Sequence, residues 1–119
     1  MAGEGLNPTL LAERFRIQTP FGRTPAWACV LDNQDCCPSE LGYGLGWTVF
    51  TDPDRTFIQH GGNDLGEHAM VVAEPDGGNA VIILINGGNG WRLSPTILDL
   101  IEPRHPVAAH FQALIARHL

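Results

Sequence analysis

Pro75-Asp76-Gly77-Gly78-Asn79-Ala80-Val81-Ile82-Ile83-Leu84-Ile85 is the stretch whose reading decides the fold. Its first half is a tight-turn signal, because glycine and asparagine tolerate the backbone angles that a hairpin loop demands. Its second half is an apolar run without alternation, the pattern of a strand covered on both faces. Upstream, His68 to Glu74 reads as the partner strand of that hairpin. Arg55 to His60 reads as a strand stopped by Gly61-Gly62, and the β-rich stretch Tyr43 to Phe50 as another, followed by the turn Thr51-Asp52-Pro53-Asp54. Asp32 to Glu40 is polar and reads as loop. Downstream, Asn86-Gly87-Gly88-Asn89-Gly90 ends the last strand. Ser94-Pro95 then caps a helix carrying Ile97, Leu98 and Ile101, and Pro106 opens another with Val107, Phe111, Leu114 and Ile115 on one face. Near the N-terminus, Asn7-Pro8 starts a short helix bearing Leu10, Leu11, Phe15 and Ile17. Residues 1–119 are therefore expected to form one α+β domain, an antiparallel sheet of about four strands flanked by an N-terminal helix and two C-terminal helices.

Composition narrows the function. The chain has 119 residues, 17% charged, with a net charge of −6. That charge content is below the roughly 25% usual for soluble domains, which suits a chain that buries surface against a partner. An acidic chain lacks the basic footprint that replaces phosphate counterions, so no nucleic-acid partner is expected. No run approaches the roughly 20 apolar residues of a membrane span, so no membrane is expected either. Met1-Ala2-Gly3-Glu4-Gly5 has neither the basic nor the apolar region of a signal peptide, so the chain as written is expected in the cytoplasm. All seven Lys+Arg residues are arginine, and the only serines are Ser39 and Ser94. The absence of lysine excludes a lysine base, a Schiff base and a P-loop lysine for the chain acting alone, and no cofactor is implied. Cys29, Cys36 and Cys37 are odd in number and have neither zinc nor redox spacing. They read as packing thiols.

Leu41-Gly42-Tyr43-Gly44-Leu45-Gly46-Trp47, then Phe57-Ile58-Gln59-His60-Gly61-Gly62-Asn63-Asp64-Leu65-Gly66, then Val81 to Asn86, form an ordered succession. It resembles the C-terminal third of the serine beta-lactamase-like superfamily: class C beta-lactamases, D,D-peptidases and family VIII esterases. The resemblance is good from about Leu41 to Gly88 and extends plausibly to the flanking helices. It implies a partial beta-lactamase/transpeptidase-like fold whose K/H-x-G strand lines the active site. It also implies that His60, Gly61 and Gly62 face a small acyl, ester or beta-lactam ligand, with the Asn63 N–H in the oxyanion hole. Glycine suits a strand that a ligand approaches closely, and free N–H groups can stabilise a developing oxyanion. His60-Gly61-Gly62 also reads more simply, as a strand end and turn with His60 facing solvent.

The sequence departs from that family where the chemistry begins. Ser39 is followed by Glu40-Leu41-Gly42 and Ser94 by Pro95-Thr96-Ile97, so neither forms S-x-x-K, and the single tyrosine, Tyr43, does not form Y-x-N. No catalytic residue is therefore assigned, and the chain reads as a half-domain that does not catalyse alone. Its partner is then expected to be a second copy or a complementary N-terminal hydrolase chain carrying the nucleophile. A small hydrolase using other residues is the remaining alternative. Cys36 or Cys37 with His60 is a conceivable thiolate pair. His60, Asp64, Glu67 and His68 are conceivable metal ligands, but their spacing is not a metal motif, and no metal is expected. His105, His110 and His118 read as solvated helix positions.

Overall fold

A computed structural model describes residues 5–21 and 38–117. Helix α1 spans Pro8–Glu13 and α2 Ser94–Ile101; α3 spans Pro106–Arg117. Six strands, β1 (Thr19–Pro20), β2 (Glu40–Tyr43), β3 (Thr48–Thr51), β4 (Thr56–Asp64), β5 (Glu67–Glu74) and β6 (Asn79–Ile85), form one antiparallel sheet in sequential order. The α+β class and the three helices match the expectation from sequence, and the sheet is larger than expected.

Two glycine segments account for much of that difference. Tyr43 to Phe50 is not one strand: β2 ends at Tyr43, β3 begins at Thr48, and Gly44 to Trp47 form the turn between them. Gly46 supplies the positive φ (82°) that the turn needs, and the Gly44 N–H donates to the Trp47 carbonyl. Gly61-Gly62, by contrast, do not stop β4. The strand runs through them to Asp64, because β5 pairs with it along the whole length, from Ile58↔Ala73 to Asp64↔Glu67. Helix α1 ends earlier than expected, and Phe15 follows it in a turn and Ile17 in irregular chain.

The register sorts side chains onto two faces. Phe50, Phe57, Val72, Met70 and Ile83 lie on the face that α2 and α3 cover, packed with Leu98, Val107 and Ala108. Val49, Ile58 and Ala73 lie on the opposite face, under Phe15, Ile17 and Trp47. That cover does not reach β6. Val81, Ile83 and Ile85 point toward the helices, while Ile82 and Leu84 are 71% and 75% exposed. The expectation that Ala80 to Ile85 is covered on both faces is thus corrected: β6 is the last strand of the sheet, and the described chain covers one face of it.

Polar groups fix the helices in place. Arg55 donates to Glu74 (2.7 Å) and to Glu102 (2.5 Å), joining the start of β4 to the end of β5 and the C-terminal end of α2. The arginine holds both carboxyls below their ordinary value. His105 is not solvated: it is 5% exposed and its Nδ1 accepts the Val107 N–H (3.2 Å) at the start of α3. An accepting Nδ1 carries no proton, and burial lowers the pKa in the same direction. His110 is also buried, its ring edge-on to Phe50 and Phe111. His118 lies outside the described residues.

Candidate functional site

The β4 edge begins where β3 runs out. Thr48↔Gln59 is the last β3–β4 pair, yet β4 continues to Asp64. Among the described residues, His60 to Asp64 are therefore paired on the β5 side alone. All four residues singled out from sequence, His60, Gly61, Gly62 and Asn63, lie on this half-free segment.

Strand alternation splits their side-chain positions between the two faces. Gly61 and Asn63 lie opposite Met70 and His68 on the helix-covered face; His60 and Gly62 lie on the other. The two glycines differ in kind. A Cβ on Gly61 would sit 2.8 Å from the Ala69 carbonyl oxygen and 3.1 Å from Gln59 Nε2, so the site leaves no room for a side chain. A Cβ on Gly62 would have nothing within 4 Å. Gly61 is required by packing, whereas Gly62 keeps open space beside the strand.

The His60 imidazole is engaged. Its Nδ1 lies 3.0 Å from the Gly46 carbonyl oxygen, which can only accept, so Nδ1 carries the proton. The ring also stands edge-on to Trp47 at 6.1 Å. This hydrogen bond ties the β2–β3 turn to the first residue of the free segment.

Asn63 leads into the interior. Its Oδ1 is 2.7 Å from His68 Nδ1, and His68 Nε2 is 2.9 Å from Ser94 Oγ. An amide oxygen only accepts, so His68 donates from Nδ1, and Nε2 then accepts the Ser94 hydroxyl proton. The imidazole is neutral in this arrangement. Burial favours that form, lowering the pKa against the opposing effect of a Gly62 backbone hydrogen bond. His68 is 4% exposed and Ser94 is fully buried. Ser94 does not cap α2, as its place before Pro95 had suggested; Leu93 holds the N-cap position, without a side-chain bond. Gly90 makes this approach possible, since a Cβ there would lie 2.7 Å from Ile85 Cγ2 and 3.3 Å from His68 Cβ.

A groove of about 320 Å³ runs along the free segment. Gly61, Asn63, Trp91 and Phe111 line it, with Tyr43 and Thr48 at the turn end of the β2–β3 hairpin. No arginine and no carboxylate lines it among the described residues.

Other candidates from sequence do not assemble. No group of three or more His, Cys, Asp or Glu able to hold a metal occurs among the described residues. Of the four conceivable ligands, His68 points to the helix-covered face, while His60, Asp64 and Glu67 sit at positions of the opposite one. Cys29, Cys36 and Cys37 lie outside the described residues. Ser39 is exposed and hydrogen-bonds Asp52 through its N–H (3.1 Å). Sequence reasoning missed the Asn63–His68–Ser94 connection. One signal was available: His68, Met70 and Val72 alternate, which puts His68 in the buried phase of its strand. Ser94 gave none, because a serine before proline at a helix start reads as a cap.

No described helix is long and apolar enough to cross a membrane. Comparison with known proteins returns no match: no family model fits the sequence, and no curated protein or solved structure matches it.

Proposed function

We propose that the chain is a C-terminal half-domain related to beta-lactamase-like serine hydrolases, binding a small acyl, ester or beta-lactam ligand along β4 without turning it over alone. The observation that supports this is the length mismatch between β3 and β4. It leaves His60 to Asp64 with an unpaired edge beside a groove, and Gly62 leaves open space on the opposite face of the same edge. Unpaired strand N–H groups are the donors that an extended ligand or a developing oxyanion needs. The nucleophile and its base are the missing parts. Ser39 has no lysine partner anywhere in the chain, and an acyl carbon cannot reach the enclosed Ser94 oxygen. Oxyanion and binding contributions alone do not make an acyl-enzyme.

The test joins mass and resonance measurements. Intact mass spectrometry after incubation with a penicillin and a fluorophosphonate is expected to show no adduct. Titration with benzylpenicillin and ethyl phenylacetate is expected to move the Gly62 and Asn63 amide resonances with at least one of them. Gly62→Val should remove the shift and keep the fold. Stoichiometric labelling of Ser39 or Ser94, or an edge indifferent to both compounds, would overturn the proposal.

The Ser94–His68 hydrogen bond favours a second reading, a small hydrolase built on non-family residues. Burial of Ser94 weighs against it, and labelling at Ser94 is the result that would restore it. The partner in the main reading is a second copy or a chain carrying S-x-x-K. Strand β6 is one edge available to either. It is an uncharged seven-residue edge strand without proline, and such edges invite pairing. Light scattering that returns a mass above 12.9 kDa for the purified chain supports self-association.

A further inference from the structure

The groove beside β4 differs from a carboxylate site in one decisive respect. None of its described lining residues carries a fixed positive charge. His68, the histidine bonded to Asn63, is buried between Asn63 and Ser94, and burial favours its neutral form. The chain as a whole carries −6. An anion entering the groove would lose hydration and meet no arginine or lysine among the described lining residues, an unfavourable exchange.

The donors present are suited to a neutral acceptor. Asn63 spends its Oδ1 on His68, which leaves the two N–H bonds of its carboxamide. With Asn63 Oδ1 as the acceptor, His68 donates from Nδ1 and its neutral ring accepts the Ser94 hydroxyl proton at Nε2, so one hydrogen-bond order runs from the serine to the Asn63 amide. The Ser94 hydroxyl is completely buried, and Gly90 packs closely against Ile85 and His68 beside it.

We infer that the β4 edge selects ligands with a neutral carbonyl, an ester or a carboxamide, over carboxylates. The Asn63 amide N–H donates to that carbonyl, and the Ser94–His68 pair acts as the positioning element behind it. Trp91 and Phe111 receive the apolar part of the ligand, as aromatic walls commonly do. The inference rests on the ligand-binding reading above and specifies its substrate class.

Phenylacetamide and phenylacetate separate the possibilities, because they share the ring and differ in the charge of the head group. Amide resonances of the labelled protein, followed through titration with each, give the two affinities. Phenylacetamide is expected to bind at least fivefold more tightly, moving the Gly61, Gly62 and Asn63 backbone signals and the Asn63 side-chain NH2. The ¹⁵N shifts of the His68 ring are expected to report Nδ1 as the protonated nitrogen. Asn63→Asp is expected to lose phenylacetamide affinity at least tenfold. Ser94→Ala is expected to lose three- to tenfold and to narrow the amide-to-carboxylate ratio. Equal binding of both compounds, or tighter binding of phenylacetate, would overturn the selectivity while leaving the binding site intact. An unchanged ratio in folded Ser94→Ala, or an Nε2-protonated His68, would overturn the positioning role. Silence of the edge toward both compounds would remove the binding reading itself and this inference with it.

Discussion

The two faces of the sheet use the same kind of side chain to different ends. On the helix-covered face, Phe50, Phe57, Met70, Val72 and Ile83 meet Leu98 and Val107 in a continuous core. On the other, Val49, Ile58 and Ala73 are closed over by Phe15, Ile17 and Trp47, and among the described residues the cover stops before β6. The first face holds the fold together; the second closes over the middle strands β3 to β5 and leaves apolar surface beside them. Ile82 and Leu84 are as hydrophobic as their neighbours Ile83 and Ile85, so position in the pleat, not residue type, decides which of them stabilise the isolated chain.

That contrast can be broken most directly at Leu98, which is fully buried between α2 and the sheet. Leu98→Ala is expected to cost about 2–5 kcal/mol, the range for truncating a buried leucine, as read from denaturant unfolding. A loss below about 1 kcal/mol would mean that the helices do not form the principal core. Gly90→Ala should come next, at about 1–3 kcal/mol, because the added methyl meets Ile85 side-chain atoms and cannot be accommodated without a shift. The same variant should disturb the His68 ring resonances, since the methyl also approaches His68 Cβ at 3.3 Å.

Acid should weaken the helix-covered face in two stages. Burial lowers the pKa of His105 and His68, so the unfolded chain binds protons more readily than the folded one. Their contribution is complete above the ordinary histidine value of 6.5 and is lost as pH falls below it. Glu74 and Glu102 are lowered chiefly by hydrogen bonds from Arg55, so their contribution holds above about 4.5 and goes as pH falls through the carboxylate range. Thermal melts are expected to show Tm lower at pH 5.5 than at 7.5, and lower again at pH 4. A Tm that rises on acidification would contradict both assignments. The smallest effect belongs to Ile82→Thr. It should change stability by less than about 0.5 kcal/mol, because an exposed β-branched residue replaces another. If the exposed face mediates self-association, the same change lowers the mass seen in light scattering, which sharpens the contrast between folding and docking surfaces.

Local chemistry made much of this legible in the sequence. Pro75 to Asn79 announced the last hairpin, and Pro8, Pro95 and Pro106 stand near the starts of the three helices. The Leu41–Trp47 and His60–Asn63 motifs picked out the segment that the structure leaves half unpaired. Three things were not legible, each because it depends on a distant partner. Gly61-Gly62 look like a stop until β5 is seen to pair across them. Ala80 to Ile85 reads as doubly covered because an apolar run records hydrophobicity and not the presence of cover. Ser94 and His68 are 26 residues apart, and their contact follows from how Gly90 lets the chain turn under β5.

Arg55 gives β4 a direction that its sequence does not suggest. At the Thr56 end the strand is clasped, since one guanidinium ties it to Glu74 and Glu102. Among the described residues, it has one neighbouring strand at the Asp64 end, and no ion pair there ties it to a helix as Arg55 does. Thermal opening should therefore start at Asp64 and travel toward Thr56, so that amide hydrogens along this one strand exchange at graded rates, fastest at the Asp64 end. Occupation of the edge would be felt as a slowing of exchange confined to the loose half of the strand, with the clasped half already at its limit.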